Sequence, residues 1–79
     1  MKTPRNISAG ELVKKLKTFG YEITRQTGSH IRLTTAENGT HHITIPNHDP
    51  IRIGTLSSIL SAVADHLGKT KQEIINQLF

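Results

Sequence analysis

Seventy-nine residues with ten Lys and Arg against six Asp and Glu make one small basic domain of net charge +4. There is no Cys, which excludes disulfide staples and thiolate metal sites. Leu, Ile, Val and Phe supply 21 of the 79 residues; that suffices for a folded chain but argues against a deep enclosed pocket for a small-molecule substrate.

The N-terminal stretch Met1 to Asn6 lacks an apolar run, so no secretory signal is expected and the cytoplasm is the default location. No segment is apolar enough to predict a membrane span. The first element is a helix. Ser8-Ala9-Gly10-Glu11 has capping-box spacing, and Ile7 and Leu12 stand at the positions of a hydrophobic staple. Leu12, Val13, Leu16 and Phe19 share one face, with Lys14, Lys15 and Lys17 largely elsewhere. Gly20 is the expected stop.

Three short strands follow, over Tyr21 to Gln26, His30 to Thr34 and Thr40 to Ile45. Thr27-Gly28-Ser29 and Glu37-Asn38-Gly39 are the turns between them, and Pro46 ends the third. Strict alternation puts Ile23, Ile31, Leu33, Ile43 and Ile45 on a buried face. The opposite face receives Glu22, Thr24, Gln26, His30, Arg32, His42 and Thr44. Arg25 is the anomaly, because parity sends it to the apolar side, from where its long stem would have to snorkel to the rim.

Residues 46–54 read as a loop. Leu56, Ile59, Leu60, Val63 and Leu67 then mark a second amphipathic helix stopped at Gly68. Thr70-Lys71-Gln72-Glu73 opens a short last helix carrying Ile74, Ile75 and Leu78. The expected architecture is α+β in two layers, α-β-β-β-α with an extra C-terminal helix, in a single domain over residues 1–79. Its core spans about 7–67, with the extra helix over about 70–79.

The charge is lopsided. Residues 1–35 hold seven Lys and Arg against two Glu, and residues 36–79 hold three against four acidic residues. A basic half suits an anionic partner, nucleic acid first. His30 opens a strand behind a Gly-containing turn, on the polar face and in the basic half. Imidazole is the side chain suited to general base work near neutral pH, although an ordinary surface His fits the same facts. No metal site is expected. His41 and His42 point to opposite faces; an approach of His42 to His30 across the sheet is open, but no carboxylate is clearly placed beside them. No cofactor-binding motif is present, because the glycines are scattered. On these grounds alone, a module holding double-stranded RNA by shape and phosphate contacts ranks first.

Four stretches carry a resemblance over about residues 7–67. They are the opening helix with Gly20-Tyr21; Arg25-Gln26-Thr27-Gly28-Ser29-His30; Ile45-Pro46-Asn47-His48; and Ile53-Gly54-Thr55-Leu56-Ser57-Ser58-Ile59-Leu60. In this order they resemble the HicA toxins, the mRNA interferases of HicAB toxin–antitoxin systems. The resemblance implies a fold like the double-stranded-RNA-binding domain and a metal-independent endoribonuclease whose catalytic residue maps to His30. It implies a HicB-like antitoxin as partner, with the toxin a monomer alone and a hetero-oligomer with the antitoxin. Gly28, Ser29, Arg25, Arg32, Lys14, Lys15 and Lys17 are the accompanying candidates for RNA contact. A third reading, a pure interaction protein docking through the apolar last helix, needs none of them.

Overall fold

The computed structural model describes residues 4–79. Helix α1 (Ala9–Leu16) leads into strands β1 (Glu22–Gln26), β2 (His30–Thr35) and β3 (His41–Pro46), followed by helices α2 (Ile53–Leu67) and α3 (Lys71–Leu78). The strands form one antiparallel sheet in the order β1-β2-β3. This is the expected α+β fold, like the double-stranded-RNA-binding domain, with one helix added at the end.

Helix α1 starts where Ser8 Oγ accepts from the Glu11 N–H at 3.1 Å. Its Leu12, Val13 and Leu16 are buried. The predicted helix to Phe19 shortens, because residues Lys17–Phe19 tighten into a 3-10 turn. Gly20 then reverses the chain at φ +80°, and a Cβ there would run into the Glu37 carboxylate and the Thr35 hydroxyl. Thr35, a buried polar residue, donates to the Phe19 carbonyl at 2.8 Å and so closes this corner.

Ile31 pairs with Ile45 and Leu33 with Ile43. All four are buried and share one core with Leu12, Leu16, Leu56, Leu60 and Val63. The β2–β3 turn passes through Asn38 and Gly39, both with positive φ, the conformation that favours Asn-Gly in tight hairpins. Helix α2 begins at Ile53, so the predicted loop over 46–54 narrows to residues 47–52. Helix α3 opens on a complete capping box, Thr70 with Glu73. The hydrogen bond from the Thr70 backbone holds the Glu73 carboxyl below its ordinary range. Ile74, Ile75 and Leu78 join the common core, so α3 belongs to the same domain.

Strand β1 departs from the expected alternation. Ile23 pairs with Leu33, but Arg25 pairs with Arg32, so one residue is slipped between them. Two residues of β1, Thr24 and Arg25, thus stand opposite one of β2, which is a β-bulge. Directly paired residues share a face. Arg25 is therefore on the outer face with Arg32, not on the apolar side where parity sends it. Ile23 keeps the helix-facing phase. It was expected in the core, yet it is 47% exposed, and the rest of edge strand β1 is exposed with it.

Candidate active site

The helices cover one face of the sheet and leave the other open. The open face is ordered in rows across the strands. At one end stands His30, paired with Pro46. The next row is Arg25, Arg32 and Thr44, and the row beyond is Glu22, Thr34 and His42, into which Thr24 reaches. Rows on one face lie about 7 Å apart, two residues along a strand.

His30 is exposed and held from behind. Its Nδ1 lies 3.0 Å from Ser29 Oγ, while its Nε2 has no partner among the described residues. The turn beneath it is tied on both sides. The Thr27 N–H donates to the His30 carbonyl at 2.9 Å, and the His30 N–H donates to Thr27 Oγ1 at 3.1 Å. From the end of β3, the Asn47 N–H donates to the Ser29 carbonyl at 2.9 Å, and Asn47 Nδ2 to the Gly28 carbonyl at 3.4 Å. The loop after Asn47 is fixed in turn to the entry of α1, through Ala9 N–H to the His48 carbonyl and Ile51 N–H to the Ile7 carbonyl. Stretches far apart in sequence thus converge on the backbone that carries His30.

Arg25 and Arg32 are brought together one row away, and neither guanidinium has a carboxylate partner among the described residues. Like charges directly opposite one another on a sheet are destabilising. The pair therefore presents unneutralised positive charge beside His30. Gly28 is exposed, and a Cβ there would meet nothing within 4 Å, so no contact inside the protein calls for a glycine. Lys14 on α1 and Lys17 in the 3-10 turn after it are exposed on the helix layer, and Lys15 lies with its Nζ 5.7 Å from the centre of the Phe79 ring. These three lysines are not gathered with His30.

The approach of His42 to His30 that alternation leaves open does not occur. The two imidazoles share the outer face, but His42 belongs to the row of Thr34, about 13 Å along the strand. His41 faces the other way, as alternation requires. It stacks on His66 at a centroid distance of 4.3 Å, and its Nδ1 shares a hydrogen bond with the Tyr21 hydroxyl at 2.7 Å. Burial pushes the Tyr21 hydroxyl up to about 12, helped by the charge of Glu37. Burial also lowers the pKa of His41, with His66 and His42 adding to the effect. Among the described residues, no group of three His, Asp or Glu side chains is placed to hold a metal ion, and there is no enclosed cavity.

The bulge and the Asn47 tie were not foreseen. The bulge had a signal in the sequence, a charged residue at an apolar parity position. Asn47 had none beyond its place beside Pro46.

The match to known families falls on this same framework. Residues 9–64 match the family model described as the HicA toxin of bacterial toxin–antitoxin systems. The matched segment runs from the first residue of α1 through the sheet and most of α2, and α3 lies outside it. No curated protein and no solved structure is matched.

Proposed function

This chain belongs to the HicA toxin family, and from that premise we propose that it is an endoribonuclease acting on mRNA through His30. As a family member it is the toxin of a toxin–antitoxin pair, with an antitoxin as its partner. The observation that carries the proposal is the setting of His30: an exposed imidazole, held at Nδ1 by Ser29, beside two arginines with no carboxylate partner among the described residues.

RNA brings its own nucleophile, the 2′-hydroxyl next to the scissile phosphate. With a proton on Nδ1 donated to Ser29 Oγ, His30 keeps the Nε2 lone pair facing outward. Nε2 takes the 2′-hydroxyl proton, the 2′-oxygen attacks phosphorus, and the bond to the 5′-oxygen breaks. The products are a 2′,3′-cyclic phosphate and a 5′-hydroxyl. The proton on the leaving oxygen comes back from the imidazolium or from water. A positioned base of this kind contributes about 10²–10⁴-fold. Arg25 and Arg32 stabilise the charge growing on the phosphate oxygens. The open turn at Gly28 and Ser29 gives the strand room to approach. Lys14, Lys15 and Lys17 sit on the other layer, where they add to the long-range attraction of a polyanion. The antitoxin, of HicB type, masks the outer face. The toxin is a monomer until it binds the antitoxin, and its substrate places it in the cytoplasm.

The test is a matched pair, wild type and His30→Ala, induced in a bacterial host while growth and bulk mRNA are followed. Growth arrest with mRNA loss in the wild type, abolished by the substitution, is the expected result. Equal arrest and equal mRNA loss by two equally folded proteins would remove His30 from the reaction. RNA binding without cleavage by either protein would leave a non-catalytic double-stranded-RNA-binding module.

A further inference from the structure

The far row of the outer face repeats the arrangement around His30. Thr24 Oγ1 and Thr34 Oγ1 are 2.9 Å apart, and Thr34 Oγ1 is 2.7 Å from His42 Nδ1. A hydroxyl again holds an imidazole at Nδ1, and Nε2 again has no partner among the described residues. Both imidazoles are exposed on the same face, with the arginine pair between them. In the tautomer where the Thr34 hydroxyl donates to Nδ1, His42 presents an Nε2–H donor to whatever lies on the sheet.

We infer that the Thr24–Thr34–His42 row is a second, non-catalytic subsite, which binds the sugar–phosphate backbone of a single RNA strand whose cut site lies at His30. The inference rests on the ribonuclease reading and extends it to the length and form of the substrate. Row spacing of about 7 Å along the strands is of the order of one extended nucleotide. A strand running from His30 over Arg25 and Arg32 to His42 therefore meets a donor or a positive charge at each step. Apart from Pro46, the outer-face side chains in these rows are polar or charged, and none is Phe, Tyr or Trp. Stacking of bases has no platform there, so recognition falls on phosphates and ribose.

Two features set the form and the direction of the strand. In-line attack needs the 2′-oxygen, phosphorus and 5′-oxygen aligned, which the regular A-form duplex does not permit and a flexible strand does. Glu22, paired with Thr34 from the β1 side, is the carboxylate of this face. It repels phosphate at the β1 edge and sends the strand out over β3, where His42 stands.

The experiment measures fluorescence anisotropy of a labelled 2′-fluoro single-stranded oligonucleotide, which the proposed chemistry does not cut, and of the same sequence as a duplex. Cleavage of the unmodified strand is followed in parallel. His42→Ala and Thr34→Val are each expected to weaken single-strand binding by about 3- to 10-fold, the worth of one hydrogen bond, and to raise KM more than they lower kcat. Glu22→Gln is expected to tighten binding, and Lys14→Gln with Lys17→Gln to weaken it less than His42→Ala does. Wild-type affinity in folded His42→Ala and Thr34→Val proteins overturns the subsite, as does equal or tighter binding of the duplex. If those variants bind normally while the wild type cuts RNA, the subsite falls and the ribonuclease stands. If binding depends on His42 but no RNA is cut, the ribonuclease falls and the subsite stands.

Discussion

The two ends of the sheet each gather histidine, and they use it in opposite ways. At the far end, His66 reaches from α2 and donates through Nε2 to the carbonyls of Glu37 and Gly39, at 2.8 and 2.9 Å. Asn38 returns a hydrogen bond from Nδ2 to the His66 carbonyl at 2.7 Å, and His41 stacks on His66 with the Tyr21 ring edge-on beside it. Here imidazole is structural material: His66 Nε2 and His41 Nδ1 are engaged, and the two rings cover one face of each other. At the near end, one nitrogen of His30 is anchored and the other faces outward. His41 and His66 are held by hydrogen bonds and by each other's rings, whereas His30 is held by one hydrogen bond and has no ring against it among the described residues.

Substitutions should separate the ends. His66→Ala strips two turn carbonyls of their donor and exposes the face of His41. It should lower unfolding stability by about 2 kcal/mol, read by urea denaturation, with the cleavage rate per folded molecule little changed. Loss of activity without loss of stability would show that the far end also serves the reaction. Ser29→Ala should do the reverse. Freed from its hydroxyl, the His30 ring loses its orientation. The expected cost is roughly tenfold in cleavage rate, equivalent to about 1.4 kcal/mol on the barrier, with no measurable change in stability.

The smallest effect is the pH dependence of stability. His41 has a folded pKa below its unfolded value of 6.5. Below that pH the unfolded chain takes up the proton more readily, so stability falls as the solution is made acidic. Tyr21 is the opposite case, raised from 10.0 to about 12. Its contribution is complete below pH 10 and disappears as the pH rises through 12. Tyr21→Phe should cost about 1 kcal/mol at neutral pH and remove the tyrosine contribution to the alkaline limb of a stability profile. An unchanged alkaline limb in that variant would assign it to other groups.

The fold was legible because its main signals are local. Ser8, Gly20, Asn38-Gly39, Gly68 and Thr70 each punctuate the chain through backbone preferences that need no tertiary partner. Alternation placed Ile31, Leu33, Ile43 and Ile45 correctly because β2 and β3 pair without a slip. It failed beyond the slip in β1, for Arg25, which pairs with Arg32 on the outer face, and for Gln26, which pairs with the buried Ile31. A bulge depends on what the partner strand offers, which periodicity does not record. His30 was singled out from its turn, its face and its family motif. Its support was hidden, because Asn47 acts across 18 positions of sequence. The stack of His41 on His66 was hidden for the same reason, with the two rings brought together only when α2 lies down on the sheet.

The bulge between Ile23 and Arg25 has one more consequence, best put in mechanical terms. It works as an expansion joint. The turn at Gly28 and the corner at Gly20 demand different phases from the same five-residue strand, and the slip lets each have its own. Loss of the extra residue at Thr24 would leave Ile23 opposite Leu33 and Arg25 opposite Arg32, so neither end would be turned over. The two ends of the sheet, one locked and one open, are thereby free to change length separately while the sheet between them keeps its register.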